Sequence, residues 1–539
     1  MADTAARFHA LAEDAVEDLL RLEPERATDL GDHRFDDRLT DMSEDGLSAA
    51  AATLADHRDE LDTLDADELE PADAVDAQIL RGGLDRRLFE LQQLREHAWN
   101  PLLWLPGEAI YLLLSRDTGP VEDRLLALGG RLEAVPERLA TARATLRDMP
   151  RVHVETALSQ ISGLIGMLRD EVPPLAGTAP NRFLSVEPMR TAAEDALVEH
   201  RDWLLEQLEG ANGDPRLGPS LFAAKLHLSL DSDLSAEQVA AAAREHLDLV
   251  TDEMTGLAVG WVGPGDDAVR RALDRAAAEA PDDRTIVSVA RRWLAEATEL
   301  VTSSGVVRVP DDPMEIEVMP ELRRGIGVAY CDAPGPLEEG GITRFAISPT
   351  PAGWSPERVA SFYREYNTAM MANLTVHEAM PGHMVQLAHG RRYRGATKVR
   401  QVLASGSFIE GWGVHAEEIM ARLGYGGAPV RLQQLKTMLR TTINALLDAG
   451  VHAGGMTETE AIELMTARGH QEEGEAVGKW RRVLLTSAQL STYFVGYREL
   501  APTLAGRTRY DDVLAHGSPP PRHLPALLAA AEAGAPNRA

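Results

Sequence analysis

Residues 377–383, with the sequence HEAMPGH, contain two imidazoles around a carboxylate. Metallopeptidases use this set of groups: two neutral histidines bind zinc, and a glutamate takes the proton of a zinc-bound water. His377 and His383 are therefore candidate zinc ligands, and Glu378, which directly follows the first histidine, is the candidate general base.

The spacing of the two histidines is unusual, because they are six residues apart where four would place both rings on one helix face. At about 100° per residue, six steps leave the second ring about 120° away from the first. The chain must therefore bulge or break between them. Pro381 and Gly382 favour a break, since proline cannot donate to the preceding turn and glycine adopts angles closed to other residues. The alternative is a helix that ends at Met380, with histidines that never meet.

A catalytic zinc needs a third protein ligand, and the next candidate is Glu410. It lies on an apolar helical segment that also contains Phe408 and Trp412. Glu417 is two helical turns further on and shares a face with Glu410, so it is a candidate partner that orients a ligand. The alternative is that these glutamates form a solvated helix face.

Four motifs in the same order resemble those of domain-of-unknown-function family 885. They are HEAMPGHMVQ at 377–386, EGW at 410–412, DAGVH at 448–452, and QLSTYFVG at 489–496 preceded by Arg482. The resemblance implies a mainly α, large helical zincin-like metallopeptidase fold with a small β-sheet beside the metal helix. It implies zinc on His377, His383 and Glu410, with Glu378 as general base.

The same resemblance makes His452 and Tyr493 candidates to stabilise an oxyanion. Asp448, four residues before His452, is a candidate to hold the other ring nitrogen of His452 and so orient the ring. Without the resemblance, the sequence around Tyr493 predicts that it is a core aromatic residue of a helix. Arg482 is a candidate substrate-binding residue that meets a carboxylate, or else a surface cation that pairs with a glutamate.

The composition excludes one class of partner. The chain of 539 residues has 85 acidic against 54 basic residues, a net charge of −31, so it repels phosphates and is not expected to bind nucleic acid. The single cysteine, Cys331, cannot form an intramolecular disulfide, which fits a reducing compartment. The sequence shows no signal core at its start and no run of 18 apolar residues, so we expect a cytoplasmic protein without a membrane partner.

Apolar residues repeat every three or four positions over much of residues 1–300, which predicts amphipathic helices. Residues 314–318, 325–330 and 342–347 are expected to be strands of a small sheet. A helix is expected from about Asn367 to Met380. We interpret 1–300 as a helical part that walls a cleft and 301–539 as the catalytic part, the two forming one compact unit.

Three functions stay open at this point. The first is a zinc metallopeptidase that acts on short peptides. The second is a zinc hydrolase that acts on another amide or ester, with a small-molecule substrate. The third is a metal-binding protein without catalysis, which the presence of Glu378 disfavours.

Overall fold

The computed structural model describes residues 2–319, 328–351 and 353–534. The chain divides into two compact units. The first contains residues 1–215 together with the short segments 334–341 and 395–402, and the second contains the remainder. Within the described helices, none combines the length and the apolar character needed to cross a membrane.

The first unit is helical. Its helices are α1 (Ala2–Leu22), α2 (Pro24–Leu30), α3 (Glu44–Leu61), α4 (Pro71–Phe89), α5 (Gly107–Ser115), α6 (Val121–Thr145), α7 (Arg151–Asp170), α8 (Val172–Gly177), α9 (Pro180–Gln207) and the later α17 (Val399–Val402). The apolar stripe expected in α6 is fully buried at Leu132, Val135 and Leu139, because residues three and four apart share one helix face. Segment 395–402 is held by a buried ion pair between Arg400 and Asp76, 2.5 Å apart.

The second unit holds every candidate site residue. Its helices are α10 (Gly218–Leu230), α11 (Ala236–Val262), α12 (Ala268–Ala277), α13 (Ile286–Ser304), α14 (Pro356–Glu365), α15 (Thr368–Glu378), α16 (His383–Arg391), α18 (Gly406–Arg422), α19 (Gly427–His452), α20 (Glu458–Glu463), α21 (Glu473–Leu485), α22 (Ser491–Leu504), α23 (Asp511–Leu514) and α24 (Leu524–Gly534). The fold is mainly α, as predicted.

A three-stranded sheet interrupts the helices of this unit. Its strands are β1 (Met314–Val318), β2 (Ala329–Asp332) and β3 (Thr343–Ile347), in the order β1-β3-β2. β3 pairs in parallel with β1 and antiparallel with β2, so β2 lies at one edge of the sheet. All three strands were expected from the sequence, although part of the expected second strand, 325–327, lies outside the described residues.

Local sequence signals set the ends of the helices around the site. Asn367 caps α15, where its side chain accepts hydrogen bonds from the amides of Ala369 and Met370. Ser355 caps α14, with Pro356 in the first turn. The Asn367 cap fixes where the helix that carries His377 begins.

That residues 1–300 wall a cleft stays a prediction.

Candidate metal centre

The helix that carries His377 breaks where the spacing of the histidines predicted. α15 ends at Glu378 and α16 begins at His383. Gly382 makes the break compact: its amide donates to the carbonyl of Val376 at 3.0 Å, and a Cβ here would lie 1.9 Å from the carbonyl oxygen of His377. Only glycine fits so close to the preceding turn. The indole of Trp412 donates to the carbonyl of Pro381 at 2.9 Å and holds the connection.

The break brings the two imidazoles together with Glu410. The ring centroids of His377 and His383 are 4.7 Å apart. Their Nε2 atoms lie 3.4 and 3.6 Å from Oε2 of Glu410. These three residues form the cluster that could hold a metal ion, with ligand atoms within 4.8 Å of one another.

The two distances between imidazole and carboxylate fit zinc. A tetrahedral ion with bonds of about 2.0–2.2 Å needs ligand atoms roughly 3.3–3.6 Å apart. The donor set of two imidazoles and one carboxylate is typical of a catalytic zinc site, in which three protein ligands leave one position open. Burial acts to raise the pKa of Glu410, but hydrogen bonds and charge from His377 and His383 outweigh it and hold the pKa below its usual range.

Glu417 fixes the orientation of His377. Its Oε1 lies 2.8 Å from Nδ1 of the ring, and its Oε2 accepts a hydrogen bond of 2.5 Å from the amide of Asn373. Asn373 also donates to Thr437 at 3.2 Å. With Nδ1–H donated to Glu417, the Nε2 lone pair is free for a metal. Sequence reasoning missed Asn373, although it lies four residues before His377 on the same helix face.

Glu378 is half-buried at the end of α15 beside the edge of the sheet. The backbone of Cys331 in β2 lies close to its carboxylate and acts to lower its pKa. Burial raises the pKa of Glu378, and the negative charge of Glu410 adds to this, against the opposite effect of His383 and His377. A carboxylate with a raised pKa is a stronger base, which suits a group that removes a proton from water.

The pairing of β2 with β3 determines the direction of the Cys331 amide. Ser348 donates to the carbonyl of Val328 at 2.8 Å, so the backbone groups of 328 and 330 point towards β3. In an antiparallel pair the direction alternates, and the groups of Ala329 and Cys331 therefore face the other edge of β2, which pairs with no strand among the described residues. This edge lies next to Glu378. Nothing in the sequence around Cys331 signalled that its backbone would meet the site.

Two glycines bring Glu410 and Tyr493 onto closely packed helices. A Cβ on Gly411 of α18 would lie 2.4 Å from the backbone of Gly496 in α22, and one on Gly496 would lie 1.9 Å from the carbonyl oxygen of Ser407. The helices can approach this far only because neither residue has a side chain. The EGW and QLSTYFVG motifs thus meet in space.

Tyr493 projects from α22 towards the metal cluster and is half-buried. Burial raises the pKa of its hydroxyl, and the negative charge of Glu410 raises it further. Nη2 of Arg482 lies 3.5 Å from this hydroxyl and 2.9 Å from Oε1 of Gln489. The structure therefore places Tyr493 between the cluster and Arg482.

The expected contact between Asp448 and His452 is not formed. The carboxylate of Asp448 instead accepts hydrogen bonds from the amide of Ala488 and from the amide and hydroxyl of Ser491, at 2.8–3.0 Å. Within the described chain, Nδ1 of His452 has no hydrogen-bond partner. The prediction was wrong because the end of α19 packs beneath the connection between α21 and α22, whose free amides compete for the carboxylate.

His452 itself is buried against the end of α21. Its Nε2 lies 2.8 Å from the carbonyl oxygens of Val483 and Thr486, and its ring stacks on Phe222 with centroids 5.7 Å apart. Only 2% of the residue is exposed. The ring is already engaged with the end of α21, so these contacts favour a role in positioning α21 and α22 over one at the reacting atoms.

A family model described as "Bacterial protein of unknown function (DUF885)" matches residues 24–528. No curated protein matches the chain.

Among solved structures, the chain is similar to a "putative lipoprotein of unknown function" from Shewanella oneidensis, with 26% identity, a TM-score of 0.80 and coverage of 97% of this chain and 99% of that one. It has the fold of a "putative lipoprotein" from Colwellia psychrerythraea, at 16% identity and a TM-score of 0.80, with 98% of each chain covered. An M32 carboxypeptidase from Deinococcus radiodurans reaches a TM-score of only 0.37, which is too low to carry an argument.

A cytoplasmic location stays a prediction.

Proposed function

The chain belongs to the DUF885 family of bacterial proteins of unknown function, and we propose that it is a zinc-dependent hydrolase that cleaves peptide bonds in short peptides. The observation that carries this proposal is the cluster of His377, His383 and Glu410, in which both imidazole Nε2 atoms lie at distances from the carboxylate that suit zinc. The half-buried carboxylate of Glu378 follows His377 directly.

His377, His383 and Glu410 would hold the ion. When bound, zinc lowers the pKa of a coordinated water to about 7 and polarises a carbonyl group. Glu378 takes the proton from the attacking water and can return it to the leaving amine. Glu417 keeps the ring of His377 in one tautomer throughout.

Tyr493 supplies a hydrogen-bond donor for the charge that develops on the substrate oxygen. Its raised pKa keeps the hydroxyl protonated at neutral pH, so it donates and does not compete as an anion. The donor is fixed before the reaction, because α22 packs against α18 through Gly411 and Gly496.

The edge of β2 that faces away from β3, unpaired within the described residues, favours a peptide over other amides and esters. Ala329 and Cys331 direct backbone groups away from β3, next to Glu378. An extended peptide can add to such an edge through main-chain hydrogen bonds, which an ester without a peptide backbone cannot match. Short peptides are therefore the proposed substrates, without nucleic acid or membrane as partner.

The test is a parallel screen of the zinc-loaded protein on a short-peptide library and on a panel of acyl esters, read by mass spectrometry. The proposal expects cleavage of peptides that a chelator abolishes and added zinc restores. Cleavage of esters alone would reassign the enzyme to another hydrolase class. Tight zinc binding with no turnover on either panel would leave a metal-binding protein without catalysis.

A further inference from the structure

Helix α21 carries two cations, one of them in contact with Tyr493, that lack a carboxylate partner in the described chain. Lys479 and Arg482 are three residues apart, so they are neighbours on one helix face. Within the described chain, neither forms an ion pair with an acidic side chain, and Arg482 contacts only the neutral side chains of Gln489 and Tyr493. Lys479 is 7% exposed.

The acidic groups nearby are already engaged by other cations. Glu365 pairs with Lys436 at 2.8 Å and with Arg440 at 3.1 Å, and Arg440 also pairs with Glu475 at 3.1 Å. The two carboxylates are therefore balanced before the charges of α21 are added.

An ammonium that is largely removed from water and has no carboxylate partner is costly, and its titration reflects that cost. Burial lowers the pKa of Lys479 to about 7, with a further contribution from the charge of Arg440. The chain has a net charge of −31, so its composition alone would not predict two neighbouring cations without an acidic partner. An anion from outside the chain would supply the missing partner.

Arg482 retains the donors that such an anion needs. Both of its side-chain hydrogen bonds use Nη2, which leaves Nε and Nη1 without a hydrogen bond in the described chain. These nitrogens, and Nζ of Lys479, are not sealed from solvent, so a ligand can reach them. The N–H groups that remain on Arg482 and the ammonium of Lys479 can each donate to a carboxylate, whose negative charge they would balance.

We propose that Lys479 and Arg482 bind a free carboxylate of the substrate, so that the hydrolase cuts short peptides next to their C-terminus. This inference rests on the proposed function. The position follows from Tyr493, whose hydroxyl lies 3.5 Å from Arg482 and whose ring is close enough to Glu410 to feel its charge. A carboxylate bound at α21 therefore places the adjoining peptide bonds beside the metal cluster.

The test compares one short N-acetylated peptide with its C-terminal amide. For the zinc-loaded wild type we expect kcat/KM on the free acid to exceed that on the amide by about 10- to 100-fold, the range of a charge-assisted interaction. Arg482→Gln and Lys479→Met should each reduce that ratio towards one by weakening the reaction of the acid. The reaction of the amide, which presents no carboxylate to α21, should fall by much less than that of the acid.

Arg481→Gln is the matched control, since this exposed arginine on the same helix loses the same charge. It should leave the ratio of acid to amide unchanged. A wild type that cleaves acid and amide equally well, or variants that lose both reactions in proportion, would overturn the carboxylate site.

Binding to the zinc-loaded Glu378→Gln protein separates this inference from the proposed function. Calorimetry with the same acid and amide should show tighter binding of the acid, and that preference should disappear when Arg482→Gln is added. If the wild type cleaves no peptide but the preference is present, the proposed function fails and the carboxylate site stands. Equal binding of both ligands, or binding of neither, contradicts the carboxylate site whatever the turnover.

Discussion

Two neighbouring parts of the second unit handle buried charge in opposite ways. In the metal cluster, the imidazole of His377 has carboxylates on both sides, Glu417 at 2.8 Å and Glu410 at 3.4 Å. Along α21, Lys479 and Arg482 have no carboxylate partner within the described chain. In the first region the protein itself supplies the opposite charges. In the second region, the negative charge would come from the substrate.

The difference shows that the reacting groups and the substrate-recognising groups of a hydrolytic site have different requirements. Groups that act on the reacting bond must be held before the substrate arrives, because reorganising them during the reaction raises the barrier. Groups that recognise a substrate can be left unpaired, since binding then relieves their cost. Tyr493 stands at the border between the two regions, with Glu410 on one side and Arg482 on the other.

The largest expected effect comes from removing a ligand of the metal cluster. His383→Ala should reduce bound zinc from about one ion per chain to near zero and abolish hydrolysis, because two ligands hold zinc weakly. Metal analysis after dialysis measures this. His389→Ala, on the same helix but with its ring on the carbonyl of Arg308, should keep the zinc. Full zinc affinity in His383→Ala would remove this histidine from the ligand set.

Glu378→Gln should keep the zinc and lose turnover. The amide has the shape of the carboxylate but cannot take a proton, so kcat should fall by about 10²- to 10⁴-fold. Metal analysis and initial rates on one peptide separate the two effects. A variant that retains wild-type kcat would show that another group acts as base.

Tyr493→Phe decides to which region this side chain belongs. If its hydroxyl stabilises the developing negative charge, kcat should fall by about 10²-fold with little change in KM, because that charge exists only in the transition state. An increase in KM for the free-acid peptide alone would assign Tyr493 to the carboxylate site with Arg482. Unchanged kinetics would make it a packing residue.

Glu417→Gln should weaken zinc binding without removing it. The side chain still accepts from His377 but loses its charge, and loss of such an orienting partner costs about 10- to 100-fold in metal affinity. Competition with a chromogenic chelator gives the affinity. Glu418→Gln, at the next position and hydrogen-bonded to Tyr497, is the control that should leave zinc affinity unchanged.

The smallest expected effect is a dependence of KM on pH. Lys479 has a pKa lowered to about 7, by burial first and then by Arg440 and Arg482, against Glu475 and Glu365. It is therefore charged below pH 7 and neutral above it. Between pH 6 and 8 the KM of the free-acid peptide should rise by about three- to tenfold relative to that of the amide. In Lys479→Met this relative change should vanish; its persistence would assign the effect to another group.

The sequence by itself determined the local features of this protein. The spacing of His377 and His383 excluded a straight helix, and Pro381 with Gly382 marked the break. Apolar periodicity and capping residues gave the helices, and alternation gave the strands. Each of these depends on residues within about two turns of one another, whose geometry is set by backbone sterics and hydrogen bonding.

Only the tertiary structure decided which distant groups meet. Asp448 and His452 looked like a catalytic pair, but amides more than thirty residues later in the chain compete for the carboxylate. The backbone of Cys331 and the unpaired charge of Lys479 gave no signal, because a free strand edge and a missing counter-charge appear only once other elements have packed. Such properties depend on which groups lie nearby in space, and the order of residues along the chain does not state that.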